Sequence, residues 1–180
     1  MTTPMQLIIS QEAISQRIQE LGASISEEYG QEPLVMVCVL KGAFIFFADL
    51  VRALRIEPEV DFVRLASYGA QTSRKERILF TKDMEVCVHG KHVLVVDDIV
   101  DTGHSAQYLL NVLRMRGAKS LRVCALIDKQ ERREGDVVVD FSGFVLSEGF
   151  VIGYGLDFAE RYRNLPAVYT LNADHSAGKK

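Results

Sequence analysis

The stretch VLVVDDIVDTGHSAQYLL, residues 93 to 110, joins two opposed surroundings within a few positions. Its four apolar residues call for a buried strand, whereas Asp97, Asp98 and Asp101 each need water, a partner or a ligand. Thr102-Gly103-His104-Ser105 then opens a run with helical spacing that closes at Gly117. The same transition recurs along the chain. PLVMVCVLKG is an apolar run ending in Lys41-Gly42, AFIFFADLVRALRI follows it with helical spacing, EVDFVRLASYG stops at Tyr68-Gly69, and SLRVCALID ends in an acid. Buried strands separated by helices predict an α/β fold, a mostly parallel twisted sheet flanked by helices, with ligands gathered at the carboxyl ends of the strands. The chemistry is expected just after Leu40, Leu65, Val96 and Ile127.

Around that sheet, Ile14, Ile18, Leu21 and Ile25 recur at spacings of three and four, which predicts an amphipathic helix with Ser10 as N-cap and Gly30 as stop. Residues 137–171 are rich in strands, turns and aromatics and are expected to form a small hood over the sheet, together with the N-terminal segment. The polar tail 173–180 is expected to be disordered. At 180 residues and 48% hydrophobic, one domain spanning 1–180 is expected. A net charge of −3 supplies no overall basic field for nucleic acid, so a phosphate must be caught locally. No apolar run has the length of a membrane span. Cys38, Cys87 and Cys124 lie singly in strand-like runs with no Cys-x-x-Cys pair, and are read as buried structural thiols in a reducing compartment, the cytosol.

Neither a Gly-x-Gly-x-x-Gly turn after a first strand nor a Gly-x-x-x-x-Gly-Lys-Ser/Thr loop is present, which removes most support for dinucleotide and ordinary nucleoside-triphosphate sites. Residues 101 to 105 offer two hydroxyls, a glycine and successive N–H groups at a strand-to-helix turn, a nest for one compact phosphate. Acids beside a phosphate need a different partner: sugar hydroxyls, a divalent metal, or a developing cation. A sugar 5-phosphate bearing a pyrophosphate ester would satisfy all of these. Receiver domains share a strand ending in paired acids, but there the strand opens the domain, and here more than ninety residues precede it.

An apolar strand, two acids, two apolar residues and an Asp-Thr-Gly-x-Ser loop resemble the signature of the type I phosphoribosyltransferases, and within that family the hypoxanthine-guanine enzymes are the nearer match. LKGAFIFFADL, SYG, LIDK and GFVIGYGLDFAERYRNLP carry the resemblance over nearly the whole chain. It implies transfer of 5-phosphoribose from 5-phosphoribosyl 1-pyrophosphate (PRPP) to N9 of hypoxanthine or guanine, giving the nucleoside monophosphate and pyrophosphate, with magnesium as cofactor and a homodimer or homotetramer as the assembly. Position by position, Lys41 and Gly42 would contact pyrophosphate, often through a strained backbone peptide, and Arg163 would reach it too. Asp97 and Asp98 would hold the ribose hydroxyls. Asp101 would sit near N7 of the purine as general acid or base, and Asp101 to Ser105, including Thr102, Gly103 and His104, would hold the 5-phosphate. Lys129 would donate to the 6-oxo group, Phe150 would stack on the base, the Val151 backbone would read its edge, and Asp157, beside the base, would bind magnesium. Ser67 and Tyr68 would form the base of a polar lid in SYGAQTSRKERI.

Blander readings stand beside these roles: Lys129 as a solvated loop lysine, Phe150 and Tyr154 as core aromatics, Asp157 as a helix cap. The first acid of the pair is more often Glu in the hypoxanthine-guanine enzymes, so Asp97 leaves its ribose contact open, and His104, at a variable position, leaves open any contribution beyond its backbone N–H. Arg132 and Arg133 are both candidates for a phosphate contact. Two alternatives remain: a xanthine-preferring enzyme, and a non-catalytic sensor of PRPP or nucleotides on the same fold.

Overall fold

Three adjacent strands carry the core because each is apolar on both faces. β2 (Leu34–Leu40), β5 (His92–Val100) and β6 (Ser120–Asp128) run parallel, side by side. Val35, Val37, Val93, Val95, Val123 and Ala125 fill one face, and Met36, Cys38, Leu94, Val96, Cys124 and Leu126 fill the other. Alternation along each strand divides the residues between two hydrophobic clusters. The computed structural model describes residues 5–68, 77–147 and 149–171. The polar lid span 69–76 and the tail 173–180 fall outside the described residues.

The sheet extends outward from this centre. β3 (Glu59–Tyr68) joins β2 in parallel, β4 (Arg77–Lys82) returns antiparallel along β3, and β7 (Phe141–Val145) joins β6 in parallel, giving the order β4-β3-β2-β5-β6-β7. Helix α1 (Gln11–Tyr29) and helix α2 (Phe44–Ala53) cover one face, and α3 (His104–Met115) covers the other through Leu109, Leu110 and Leu113. The start of α1 is as expected: the Ser10 side chain accepts the Ala13 N–H at 3.2 Å. A second sheet of β1 (Met5–Ile9), β9 (Val168–Leu171) and β8 (Val151–Ile152) pairs the two ends of the chain antiparallel.

Three expectations need correction. The first part of the 137–171 stretch does not belong to the small sheet: Phe141 and Phe144 pack on the core cluster, and their strand is the sixth of the main sheet. β3 ends at Tyr68 as expected, but β5 outruns its apolar stretch and continues to Val100, so Asp97 and Asp98 lie inside β5 rather than after it. Cys38 and Cys124 are buried, but Cys87 is exposed, because its run, between β4 and β5, forms no strand. Burial pushes the Cys38 thiol up to about 12.

Helices α1 and α2 touch at Gly22, where an added Cβ would fall 2.7 Å from the Ala53 carbonyl oxygen. Intrinsic helix propensity favours Ala over Gly by about 1 kcal/mol. A clash with backbone cannot be relieved by a rotamer change, so packing decides the sign. Gly22→Ala is expected to destabilise the chain by about 1–3 kcal/mol, the cost of overpacking, read as a lower urea midpoint with an unchanged m-value. A raised midpoint would show that the helices separate freely.

Candidate active site

The acids of β5 are held by their own strand. Asp97 pairs in register with Ala125 and is 7% exposed. Its Oδ1 accepts the Asp98 N–H at 2.9 Å, and Asp98 Oδ1 accepts the Ile99 N–H at 3.0 Å. Burial first, and then the neighbouring Asp98 charge, hold the Asp97 carboxyl well above the usual carboxylate range. Alternation turns Asp98 to the opposite face, where its carboxylate lies against the Cα of Gly42 in a space any Cβ would fill. Glycine at 42 is required for the β2 loop and the β5 acid to meet.

Beyond β5 the chain turns through Gly103, at φ +87°, into α3, whose N-terminus has no side-chain cap. Asp97, Asp101, Thr102, Gly103, His104 and Ser105 line a cleft of 140 Å³ there. Small, hydroxyl-lined and backed by the free N–H groups of a 12-residue helix, it suits a single phosphate. His104 pairs with Glu134 at 3.1 Å at the rim. The Asp101 Oδ1 atom is buried with no hydrogen-bond partner, an acceptor left open among the described residues.

A second cleft, of 290 Å³, lies over the ends of β2 and β3 and is lined by Lys41, Gly42, Arg64, Asp98, Asp157, Glu160 and Arg163. The Leu40–Lys41 peptide is cis. Lys41 Nζ meets both Glu160 carboxylate oxygens at 3.0 Å, and Arg163 reaches Asp157 at 2.8 Å and Glu160 at 3.2 Å. Asp157 also accepts the Glu160 N–H at 2.8 Å. A third pocket, of 390 Å³, is lined by Asp101, Lys129, Glu131, Arg132, Ser147, Gly149 and Phe150. Lys129 Nζ donates to the Gly149 carbonyl at 2.6 Å, and Phe150, 53% exposed, meets Phe158 edge to face at 5.5 Å. Val151 is buried in β8, and the Phe150 carbonyl accepts from the Thr170 hydroxyl at 2.9 Å. Asp101 lines both the small hydroxyl-lined cleft and this pocket, and Asp97 of that cleft is followed in the chain by Asp98 of the cationic cleft, so the three hollows adjoin along one strand end. The main-chain ends of β3 at Ser67 and Tyr68 pair with Ile78 and Arg77. A larger hollow, of 500 Å³, lies between α1, α2 and residues 164–166, away from these strand ends.

The structure separates Arg132 from Arg133. Arg132 is 73% exposed along its side chain and reaches Asp101 Oδ2 at 3.4 Å. Arg133 is 14% exposed and spent on the scaffold: it donates to the carbonyls of Asp101 at 3.0 Å, Val100 at 3.0 Å, Val137 at 2.8 Å and Lys129 at 3.3 Å, and pairs with the buried Asp128 carboxylate. One guanidinium thereby ties the turn after β5 to the turn after β6. Glu160, Arg64, Asp128 and this role of Arg133 escape a reading of the sequence. Asp128 alone left a signal, an acid closing an apolar run as Asp97 does.

Removing Arg133 strands the Asp128 charge, so Arg133→Ala is expected to cost roughly 3–5 kcal/mol in denaturant unfolding, the usual penalty for breaking a buried pair. Arg132→Ala should stay within about 0.5 kcal/mol of the parent; equal losses would undo the distinction. Asp97 gives a sign of its own. Its folded pKa is raised, so the native state holds this proton more tightly than the unfolded chain, and stability falls as pH climbs from the unfolded value, about 3.9, through the raised one. Asp97→Asn should therefore raise Tm at pH 7.5, by roughly 2–4 °C for each kcal/mol recovered, and flatten its acid-side slope. A lower Tm at that pH would show the ionised form to be well satisfied.

The phosphoribosyl transferase domain family matches residues 7–159 of the chain. A hypoxanthine-guanine phosphoribosyltransferase of Bacillus subtilis is 41% identical over 165 residues, 92% of each chain. A hypoxanthine phosphoribosyltransferase of Salmonella typhimurium is 43% identical over 167 residues, 91% of this chain and 93% of that one. Among solved structures, a hypoxanthine phosphoribosyltransferase of Staphylococcus aureus superposes with a TM-score of 0.91 at 33% identity, over 96% of this chain and 94% of the other. With a parallel sheet whose strand-end acids adjoin a phosphate nest, and with likeness of this extent, the chain belongs to the phosphoribosyltransferase family, among its hypoxanthine-guanine members.

Proposed function

We propose that the chain transfers 5-phosphoribose from PRPP to N9 of hypoxanthine or guanine, forming IMP or GMP and pyrophosphate in purine salvage. The observation that carries this reading is the meeting of three chemically different hollows at one strand end: a hydroxyl-lined nest, a cleft with three cations, and a pocket pairing a lysine with an aromatic ring. PRPP and a purine need these three, in this order. The 5-phosphate takes the nest at residues 101 to 105, with the ribose hydroxyls on Asp97 and Asp98. Lys41, Gly42 and Arg163 take the pyrophosphate.

Departure of pyrophosphate leaves positive charge on the ribose ring. Asp98 beside the ring stabilises that charge, while Lys41 and Arg163 stabilise the negative charge leaving with the pyrophosphate. The base lies with its 6-oxo group on Lys129, which has donors only and therefore selects against a 6-amino group. Phe150 offers its exposed face, the Val151 backbone reads the base edge, and the open Oδ1 of Asp101 is the acceptor for the proton of the attacking base. Ser67 and Tyr68 close β3 and would begin a lid that excludes water from the charged ring.

Among the described residues, no group of three or more His, Cys, Asp and Glu side chains is placed to hold a metal ion alone. Magnesium fits nonetheless, because it is commonly bound by one or two carboxylates completed by phosphate oxygens and water. Asp157, in the pyrophosphate cleft, is the carboxylate that would hold it. Bound there, the ion would neutralise charge on the leaving group. Three free thiols, two of them buried, support the cytosol as the site of action. Exposed Phe44, Val60, Phe62 and Leu79 supply apolar surface for a homodimer or homotetramer.

A panel of hypoxanthine, guanine, xanthine and adenine, each with PRPP and magnesium, tests the proposal: the 6-oxo bases should turn over and adenine should not. Asp101→Asn should lower kcat by roughly 10²–10⁴-fold, the range of general acid–base assistance, with much less change in nucleotide binding. Lys129→Ala should erode the preference for 6-oxopurines by about 10- to 100-fold, the worth of a hydrogen bond from a charged donor. Unchanged kcat in the first variant, or unchanged selectivity in the second, would remove that residue from its role.

A further inference from the structure

In the cationic cleft two of the three positive groups, Lys41 and Arg163, already hold a carboxylate. Lys41 Nζ is bracketed by the two oxygens of Glu160, and Arg163 donates to Glu160 Oε2 at 3.2 Å, so one side chain spans both cations. This is the bridging geometry a pyrophosphate would use. The turn that presents Glu160 is unusual: Ala159, Glu160 and Tyr162 all have positive φ, at 51°, 62° and 74°. Such backbone is uncommon for residues other than glycine and persists where surrounding contacts hold it. The contacts here are the Glu160 N–H on Asp157 at 2.8 Å and the 158–161 bridge.

We propose that Glu160 is an internal substitute for pyrophosphate, occupying Lys41 and Arg163 in the ligand-free chain and leaving them when pyrophosphate arrives. This rests on the reading of Lys41 and Arg163 as pyrophosphate contacts. It goes further in assigning a function to a residue outside the phosphate, ribose and base contacts. Glu160 lowers the affinity for the leaving group without touching it in the bound state. Pyrophosphate gains its own contacts only by displacing two that already exist, so its net affinity is a difference. Upon departure, the carboxylate returns to the cations and the cleft is never left as a bare pair of positive charges. Glu160 is a positioning residue under this assignment, acting through Lys41 and Arg163.

The test is calorimetric titration of the full-length chain with inorganic pyrophosphate at fixed magnesium, for the parent, Glu160→Gln, Lys41→Ala and the double variant. Glu160→Asn serves as a second probe, since asparagine suits a left-handed backbone. Glu160→Gln should bind pyrophosphate about three- to tenfold more tightly, the scale of losing two exposed ion-pair competitors. Lys41→Ala should bind it more weakly, and the gain from Glu160→Gln should shrink in the Lys41→Ala background. A merely structural role would not tighten binding, and a general effect of negative charge would persist without Lys41. Unchanged or weaker binding by both Glu160 variants, with Lys41→Ala still weakened, would overturn the proposal and leave the site reading intact. Unchanged binding by Lys41→Ala would overturn the site reading and the proposal with it.

Discussion

A strand buried on both faces tolerates charge only where it leaves the core, and that constraint organises this molecule. β2, β5 and β6 are walled by two hydrophobic clusters, so the residues that do chemistry are confined to the last positions of each strand and the turns beyond. β5 presses the limit. Asp97 is still inside the sheet, paired across to β6, and its carboxyl is held toward the protonated form by burial. Strand alternation turns Asp98 to the other face, where it is the acid that projects against Gly42.

The turns that follow are long enough to wander, and a single ion pair holds two of them. Arg133 satisfies backbone carbonyls from β5 and β6 together while its charge is balanced by Asp128. Buried pairs of this kind are poor sources of net stability, since desolvation offsets most of the attraction. Their contribution here is geometric. Carbonyls at Val100, Asp101 and Lys129 converge on one planar cation, which fixes the spacing between the phosphate nest and the pocket that holds the lysine.

How much of this was legible in the sequence follows from what each feature depends on. The parallel sheet was legible because β2, β5 and β6 are continuous apolar runs, and α1 because Ile14, Ile18, Leu21 and Ile25 mark one face. The strand-to-helix turn at residues 101 to 105 was legible because its groups are contiguous in the chain. The end of β5 was not, since an acid can continue a β-ladder once its neighbours are paired, as Asp97 does. Nor was β7 in the main sheet: Phe141–Val145 is short, and only contact with β6 and α1 decides which sheet it joins, with Arg17 donating to the Ser142 and Gly143 carbonyls. Arg132 and Arg133 are adjacent and chemically identical, and burial alone tells them apart. Glu160 belonged to no pattern, because its partner Lys41 is 119 residues away.

These observations give several of the site's cations a common character: each already holds a carboxylate in this structure. Lys41 and Arg163 hold Glu160 and Asp157, Arg132 reaches Asp101, and His104 meets Glu134. Lys129 is satisfied by a carbonyl instead. Binding a polyanion to free, fully hydrated cations would require stripping water from each, whereas exchanging a carboxylate for a phosphate leaves every cation with a partner throughout. The gain per contact is smaller, because a contact is lost for each one made. For an enzyme that must release pyrophosphate as readily as it binds PRPP, a small net affinity per cation, multiplied over several cations, is the arrangement that keeps both steps accessible.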